Sequence, residues 1–223
     1  MKNVDASSII QNVSQKKNKK TLKKRTFGFS LLEISMSLVI AGVLAGIGLP
    51  IAGTYVEHYK HTQDKVNIQK LNQLIIGYAM SRGGFPDPAV GDILPSTNVG
   101  MRGKNSYNMD IQYYANALLT ETATAQDFTT LCDTAREILD GTTVSTTPAI
   151  CNEVDETFVN CTDSTVMAFV IVSPGKNRAI EHENGDGDSE FENPTKRPNE
   201  TNDYDDVLAS YGIPALVSEC QKI

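Results

Sequence analysis

Twenty-three consecutive residues, Ile34 to Val56, carry no charge and are rich in Leu, Ile, Val, Ala and Gly. As a helix this run extends about 34 Å, enough to cross a hydrocarbon layer of about 30 Å. Immediately before it, residues 1–28 hold eight Lys and Arg against Asp5 alone. Lysine and arginine concentrated on one flank keep that flank in the cytoplasm, so the remainder of the chain is expected outside. Everything after Gly28 holds 12 basic and 26 acidic residues, a balance of −14. The two parts therefore meet different surroundings. A basic arm can bind nucleic acid, but its place directly before a membrane-length run favours a topology signal, and no nucleic-acid partner is expected.

Glu33 stands at the start of the apolar run. A charge at mid-bilayer costs roughly 2.5–3.5 kcal/mol, and such residues usually have a function and a partner. At the membrane edge the cost is smaller, and an interfacial glutamate needs no special role. Its setting decides between the two. The segment Lys23-Lys24-Arg25-Thr26-Phe27-Gly28-Phe29-Ser30-Leu31-Leu32-Glu33 resembles the class III leader junction of type IV prepilins and type II secretion pseudopilins. Gly28, Phe29 and Glu33 match that pattern position by position, and Pro50 falls where many members of the family carry proline. The resemblance implies cleavage after Gly28 by a prepilin peptidase and N-methylation of Phe29. It also implies that Glu33 pairs with the first-residue amine of a neighbouring subunit during assembly. The chemistry is consistent: a cut there frees a cationic amine beside apolar surface, where a carboxylate is a favoured partner. The competing reading is an ordinary secretory signal cut near Ala45 or Gly53, followed by a membrane-tethered or secreted enzyme or binding protein. Against it, the uncharged run exceeds the usual 7–15-residue apolar region. Ala41, Gly42, Ala45, Gly46 and Gly48 would let membrane helices approach closely, and Pro50 is expected to kink or locally unwind the helix.

Helical periodicity continues past the run. Val56, Tyr59, Val66, Leu71, Leu74, Ile75 and Tyr78 leave an apolar stripe that ends at Gly83-Gly84, and the glycine–proline exit Gly83 to Pro88 is similar to that of some pseudopilin-like proteins. His58 and His61 share a face but have no third metal ligand in register. Residues 89–110 read as irregular. Ile111–Leu119 is a short strand or helix, Ala125–Leu139 a helix closed by Gly141, and Thr142–Pro148 a loop. Val166–Val172 is the strongest strand signal in the chain. With the turn Ser173-Pro174-Gly175-Lys176-Asn177 it resembles the pseudopilin strand and S-P-G-K-N turn. Asp205-Asp206-Val207 resembles the D-D-[IV] segment of the same group.

Cys132, Cys151, Cys161 and Cys220 all lie beyond the apolar run. An even number in an extracytoplasmic domain predicts two disulfides, with three pairings open; buried free thiols are the alternative. The acidic stretch Asn184 to Glu190 spaces oxygen ligands at alternate residues, as calcium loops do, but it is not an EF-hand. By resemblance to major pseudopilins, Asp186, Asp188, Asp205 and Asp206 are the candidate calcium ligands, with a solvated acidic turn as the alternative; no other cofactor is expected. There is no G-x-S-x-G, Walker loop or H-E-x-x-H, and His182, beside two glutamates, is an ordinary surface arrangement. No enzyme is nominated.

The expected fold is α+β: a long N-terminal helix, its outer half packed on a small antiparallel sheet, with disulfide-tied loops. The expected divisions are a removed leader (1–28), a transmembrane helix (29–53), its amphipathic continuation (54–83) and a globular head (84–223). The expected role is a structural subunit of a pilus or secretion pseudopilus in the bacterial inner membrane. Its partners would be the prepilin peptidase, the inner-membrane assembly platform and other pilin or pseudopilin subunits.

Overall fold

The structure, a computed structural model, describes residues 30–154, 161–180, 184, 189–193 and 206–222. Helix α1 runs from Leu31 to Arg82. It is helical through Pro50, so the expected local unwinding does not occur; one lost backbone donor is tolerated within a long ladder. The chain divides into two compact units, Met1–Leu49 and Pro50–Ile223. The described part of the first is the start of α1 alone.

In the second unit, α1 contributes a buried stripe of Asp64, Ile68, Leu71, Ile75 and Ala79, each at most 2% exposed. The spacings of four, three, four and four are one face of a 3.6-residue helix. Val56, Tyr59, Val66 and Leu74, assigned to the apolar stripe from sequence, are exposed instead. They fall off the face that meets the sheet. The helix ends at Gly83, at φ +74, and Gly84. A Cβ on Gly83 would lie 2.5 Å from the Phe128 backbone nitrogen, and one on Gly84 2.5 Å from Glu121 Cα. Only glycine permits this close crossing.

Beyond the exit come the short helix α2 (Ser96–Val99), strand β1 (Gln112–Ala115) and a 3₁₀ turn over Ala117–Leu119. Ile111–Leu119 is thus a strand followed by a helical turn. Helix α3 spans Phe128–Leu139, with the Asp127 side chain accepting the Thr129 N–H as its N-cap. It begins later than the sequence predicts because Ala125 and Gln126 sit at positive φ, in the turn that packs on Gly83.

Strands β2 (Ala149–Val154), β3 (Cys161–Ser173), β4 (Glu190–Glu192) and β5 (Val207–Gly212) complete the sheet, and α4 (Ile213–Cys220) follows. The hub is β3: its first half pairs antiparallel with β2, its second half with β1 and β5. The β2–β4 pair is parallel, so the sheet is mixed rather than antiparallel throughout. Alternate residues of β3 explain its continuous apolar run. Phe169 and Ile171 face a core shared with α1, α3 and α4, while Val170 and Val172 face a smaller cluster with Ile150 and Phe191. A strand buried on both faces has no polar alternation. Phe169 anchors the larger core, with ring centroids 5.2 Å from Phe85, 6.0 Å from Tyr113 and 5.8 Å from Tyr211. The layout is α+β, as expected.

Two disulfides close the structure. Cys132–Cys220 ties α3 to α4, and Cys151–Cys161 ties β2 to β3. This selects one of the three pairings and leaves no free thiol.

Candidate functional site

The described side chains in the first half of α1 are exposed. Its most apolar stretch has a mean hydropathy of 2.2 over 18 residues, with none of it buried among the described residues. Leu31, Leu38, Leu44 and Leu49 are each more than 60% exposed. A soluble protein rarely leaves so continuous an apolar surface uncovered. By length and composition this is a helix able to span a membrane. A Cβ on Gly42, Gly46 or Gly53 would meet nothing within 4 Å, so no contact among the described residues explains these glycines.

The helix begins at a cap that sequence inspection missed. Ser30 accepts the Glu33 N–H through its hydroxyl oxygen at 3.2 Å, and its carbonyl accepts those of Glu33 and Ile34. The signal was the spacing Ser30-x-x-Glu33, the pattern of a helix-starting box. Glu33 therefore sits in the first turn, where a carboxylate complements the positive end of the helix dipole. Its side chain is exposed and makes no hydrogen bond or ion pair among the described residues. Gly28 and Phe29, the predicted processing residues, lie outside the described residues. Pro50 lies within α1.

The two motifs that carry the C-terminal resemblance meet in space. The Gly175 N–H donates to Asp206 Oδ1 at 3.2 Å, and Asn184 Nδ2 donates to Asp206 Oδ2 at 3.5 Å. Asp206 is buried, and both its oxygens thus face N–H donors, which repay the cost of taking the carboxylate out of water. Asp186, Asp188 and Asp205, the other predicted calcium ligands, lie outside the described residues, as does His182. Asp206 itself acts as a clamp between the turn and the start of β5.

A second polar hub, not singled out from sequence, is Asn105. Its amide nitrogen donates to Ser173 Oγ (3.1 Å) and to the Pro174 carbonyl (2.6 Å), and its oxygen accepts the N–H groups of Tyr107 and Met109. The turn so held reaches α1. Lys176 Nζ lies 2.9 Å from Glu57 Oε2, and Asp64 Oδ1 accepts the Ser106 N–H at 2.7 Å. Lys60 Nζ stands 5.4 Å from the centre of the Tyr107 ring. Isolated Asn and Asp residues in a loop give no period to read, so only the folded chain shows that they converge.

An open groove of about 540 Å³ lies beside β1, between Ile93, Gln112 and Tyr114 on one side and Pro174, Arg178 and Ile180 on another. Among the described residues its lining carries the carboxylate of Asp110, the phenol of Tyr114 and the guanidinium of Arg178. Cys151, Cys161 and Glu190 come close enough to resemble a metal cluster, but the two sulfurs are bonded to each other and offer no thiolate. At the helix exit, Tyr78 donates to Glu121 Oε2 at 2.7 Å. Burial, then the Glu121 carboxylate, push the Tyr78 hydroxyl up to about 12. Burial likewise drives Tyr113 well above its ordinary value.

No protein-family model, no curated protein and no solved structure matches this chain.

Proposed function

We propose that this chain is a membrane-anchored structural subunit of a type IV pilus-like filament or a type II secretion pseudopilus, processed after Gly28 and methylated at Phe29. The observation that carries the reading is the uncovered apolar first half of α1 with Glu33 in its first turn, directly behind the basic leader and the Gly28-Phe29 junction. An uncovered apolar helix has two stable fates, in lipid or against other such helices. A subunit that passes from one to the other needs a helix suited to both. The free amine created at Phe29 would meet the Glu33 carboxylate of a neighbouring copy, in surroundings dry enough to make that pairing strong. Repeating one heterologous contact without closure produces a filament. The acidic head, outside the membrane, would set the partners.

The test is intact mass and N-terminal sequencing of the membrane-extracted protein, with and without a co-expressed prepilin peptidase. The expected result is a peptidase-dependent N-terminus at Phe29 carrying one extra methyl. A start at residue 46 or 54, or an uncut chain, refutes the reading and returns attention to the head as a tethered or secreted binding or catalytic domain.

A further inference from the structure

We infer that reduction of the Cys151–Cys161 disulfide opens a zinc site, in which the two thiolates and the Glu190 carboxylate hold one Zn²⁺ between strands β2, β3 and β4. The site lies wholly within the second compact unit and does not depend on the role proposed above. Ile150 and Phe191 stand opposite each other in the parallel β2–β4 pair and face the smaller core. Successive side chains of a strand point to opposite faces, so Cys151 and Glu190 share the other face. Cys161 joins them from β3, which pairs with β2. Both sulfurs and a Glu190 carboxylate oxygen lie within 4.8 Å of one another, and among the described residues this is the one such group of three.

Zinc binds thiolate at about 2.3 Å and carboxylate at about 2.0–2.2 Å, which sets tetrahedral ligand atoms about 3.5–3.8 Å apart. The Cα atoms of the two cysteines are 5.5 Å apart, so side-chain rotation brings the parted sulfurs to that spacing with the strands in place. Charge then calls for a cation. Cys151 is 2% exposed, and a thiolate held there beside a carboxylate is costly unless a positive charge joins them. Cys161 and Glu190 are half-buried, which leaves an entry path and a fourth position for water.

A dithiol supplies the electrons. One of its thiolates attacks Cys161 Sγ, forming a mixed disulfide and releasing Cys151 as a thiolate. Its second thiol then displaces Cys161, and the reductant departs as a disulfide. Two electrons pass from the dithiol to the cysteine pair, its two protons go to water, and zinc takes both thiolates with its oxidation state unchanged. Access selects this bond, because Cys132 and Cys220 are only 4% and 8% exposed. The loop of 10 residues also restricts the unfolded chain less than the loop of 88, so less stability opposes its opening.

The test treats the full chain in detergent with graded dithiothreitol, alkylates the freed thiols and maps them by mass spectrometry. Cys151 and Cys161 are expected to open before Cys132 and Cys220. The partly reduced chain, freed of reductant without air, is then titrated with Zn²⁺ against a chromophoric chelator, and with Co²⁺ to count bound thiolates from the charge-transfer band. One equivalent of zinc and two thiolates per cobalt are expected, with the circular dichroism of the head unchanged. Glu190→Gln should weaken zinc about tenfold or more while keeping the two-thiolate band, and Cys151→Ser/Cys161→Ser should bind none. No zinc uptake by the reduced chain, or equal uptake by the double serine variant, overturns the site. Unchanged affinity in Glu190→Gln removes the carboxylate from it. Prior or simultaneous opening of Cys132–Cys220 overturns the selectivity. Unfolding of the head on reduction overturns the whole inference, since the three strands are the frame of the site.

Discussion

The two disulfides close loops of very different length, and this sets an order for their contributions. Cys132–Cys220 spans 88 residues and Cys151–Cys161 spans 10. In the chain-entropy treatment, the first restricts the unfolded chain by about 4.6 kcal/mol and the second by about 2.7 kcal/mol. The short loop is nested in the long one, but shortening the long loop by ten residues changes its term by only about 0.1 kcal/mol. Of the four cysteines, Cys132, Cys151 and Cys220 are buried and Cys161 is half-buried, so replacement by alanine removes similar contacts in each pair. The double variant Cys132→Ala/Cys220→Ala should therefore lose about 2 kcal/mol more than Cys151→Ala/Cys161→Ala. For a unit of this size that corresponds to a further fall in Tm of about 4–8 °C. Thermal and urea unfolding of the full chain in detergent, followed by circular dichroism, measures both. Equal losses, or a greater loss from the short loop, would refute the reasoning. Such a result would mean that local packing at β2–β3, and not restriction of the unfolded chain, governs these bonds.

Gly83→Ala should cost about 2–5 kcal/mol, since it combines a left-handed backbone with a Cβ driven into the Phe128 amide; Gly77→Ala, where a Cβ meets nothing within 4 Å, should be neutral or stabilising in the same melt. Asp64→Ala leaves the Ser106 N–H without its acceptor and should cost about 1–3 kcal/mol, while Asp64→Asn retains an acceptor oxygen and should cost less; equal losses would show that the bond is not what matters. The raised hydroxyl of Tyr78 has a definite sign: unfolded tyrosine loses its proton near 10, the folded one only near 12. Its contribution is complete below pH 10 and is lost as pH rises from 10 towards 12, because unfolding there releases a proton. Tyr78→Phe should flatten that part of the stability–pH curve, and an unchanged slope would assign the alkaline loss to Tyr113, whose hydroxyl is raised by burial.

The sequence by itself determined the features whose signal is local. An uncharged run of membrane length, a basic flank and a helical period are read residue by residue, and α1 over Leu31–Arg82 followed from them. The apolar heptapeptide Val166–Val172 announced the second half of β3 for the same reason, because a strand buried on two faces is apolar at every position. The polar first half of β3, its partner β2 and the parallel β4 gave no such sign. Their hydrogen bonds run to residues distant in the chain, and the exposed Asp163, Ser164 and Thr165 of β3 need no apolar run. Tertiary structure alone decided which cysteines meet, because pairing depends on Cα separations of 5.8 and 5.5 Å across elements far apart in sequence. It also decided that Asp206 clamps Gly175 and that Asn105 holds the Ser173–Pro174 turn. A polar side chain placed by long-range contacts carries no periodic mark, so its role appears only when the chain has closed around it.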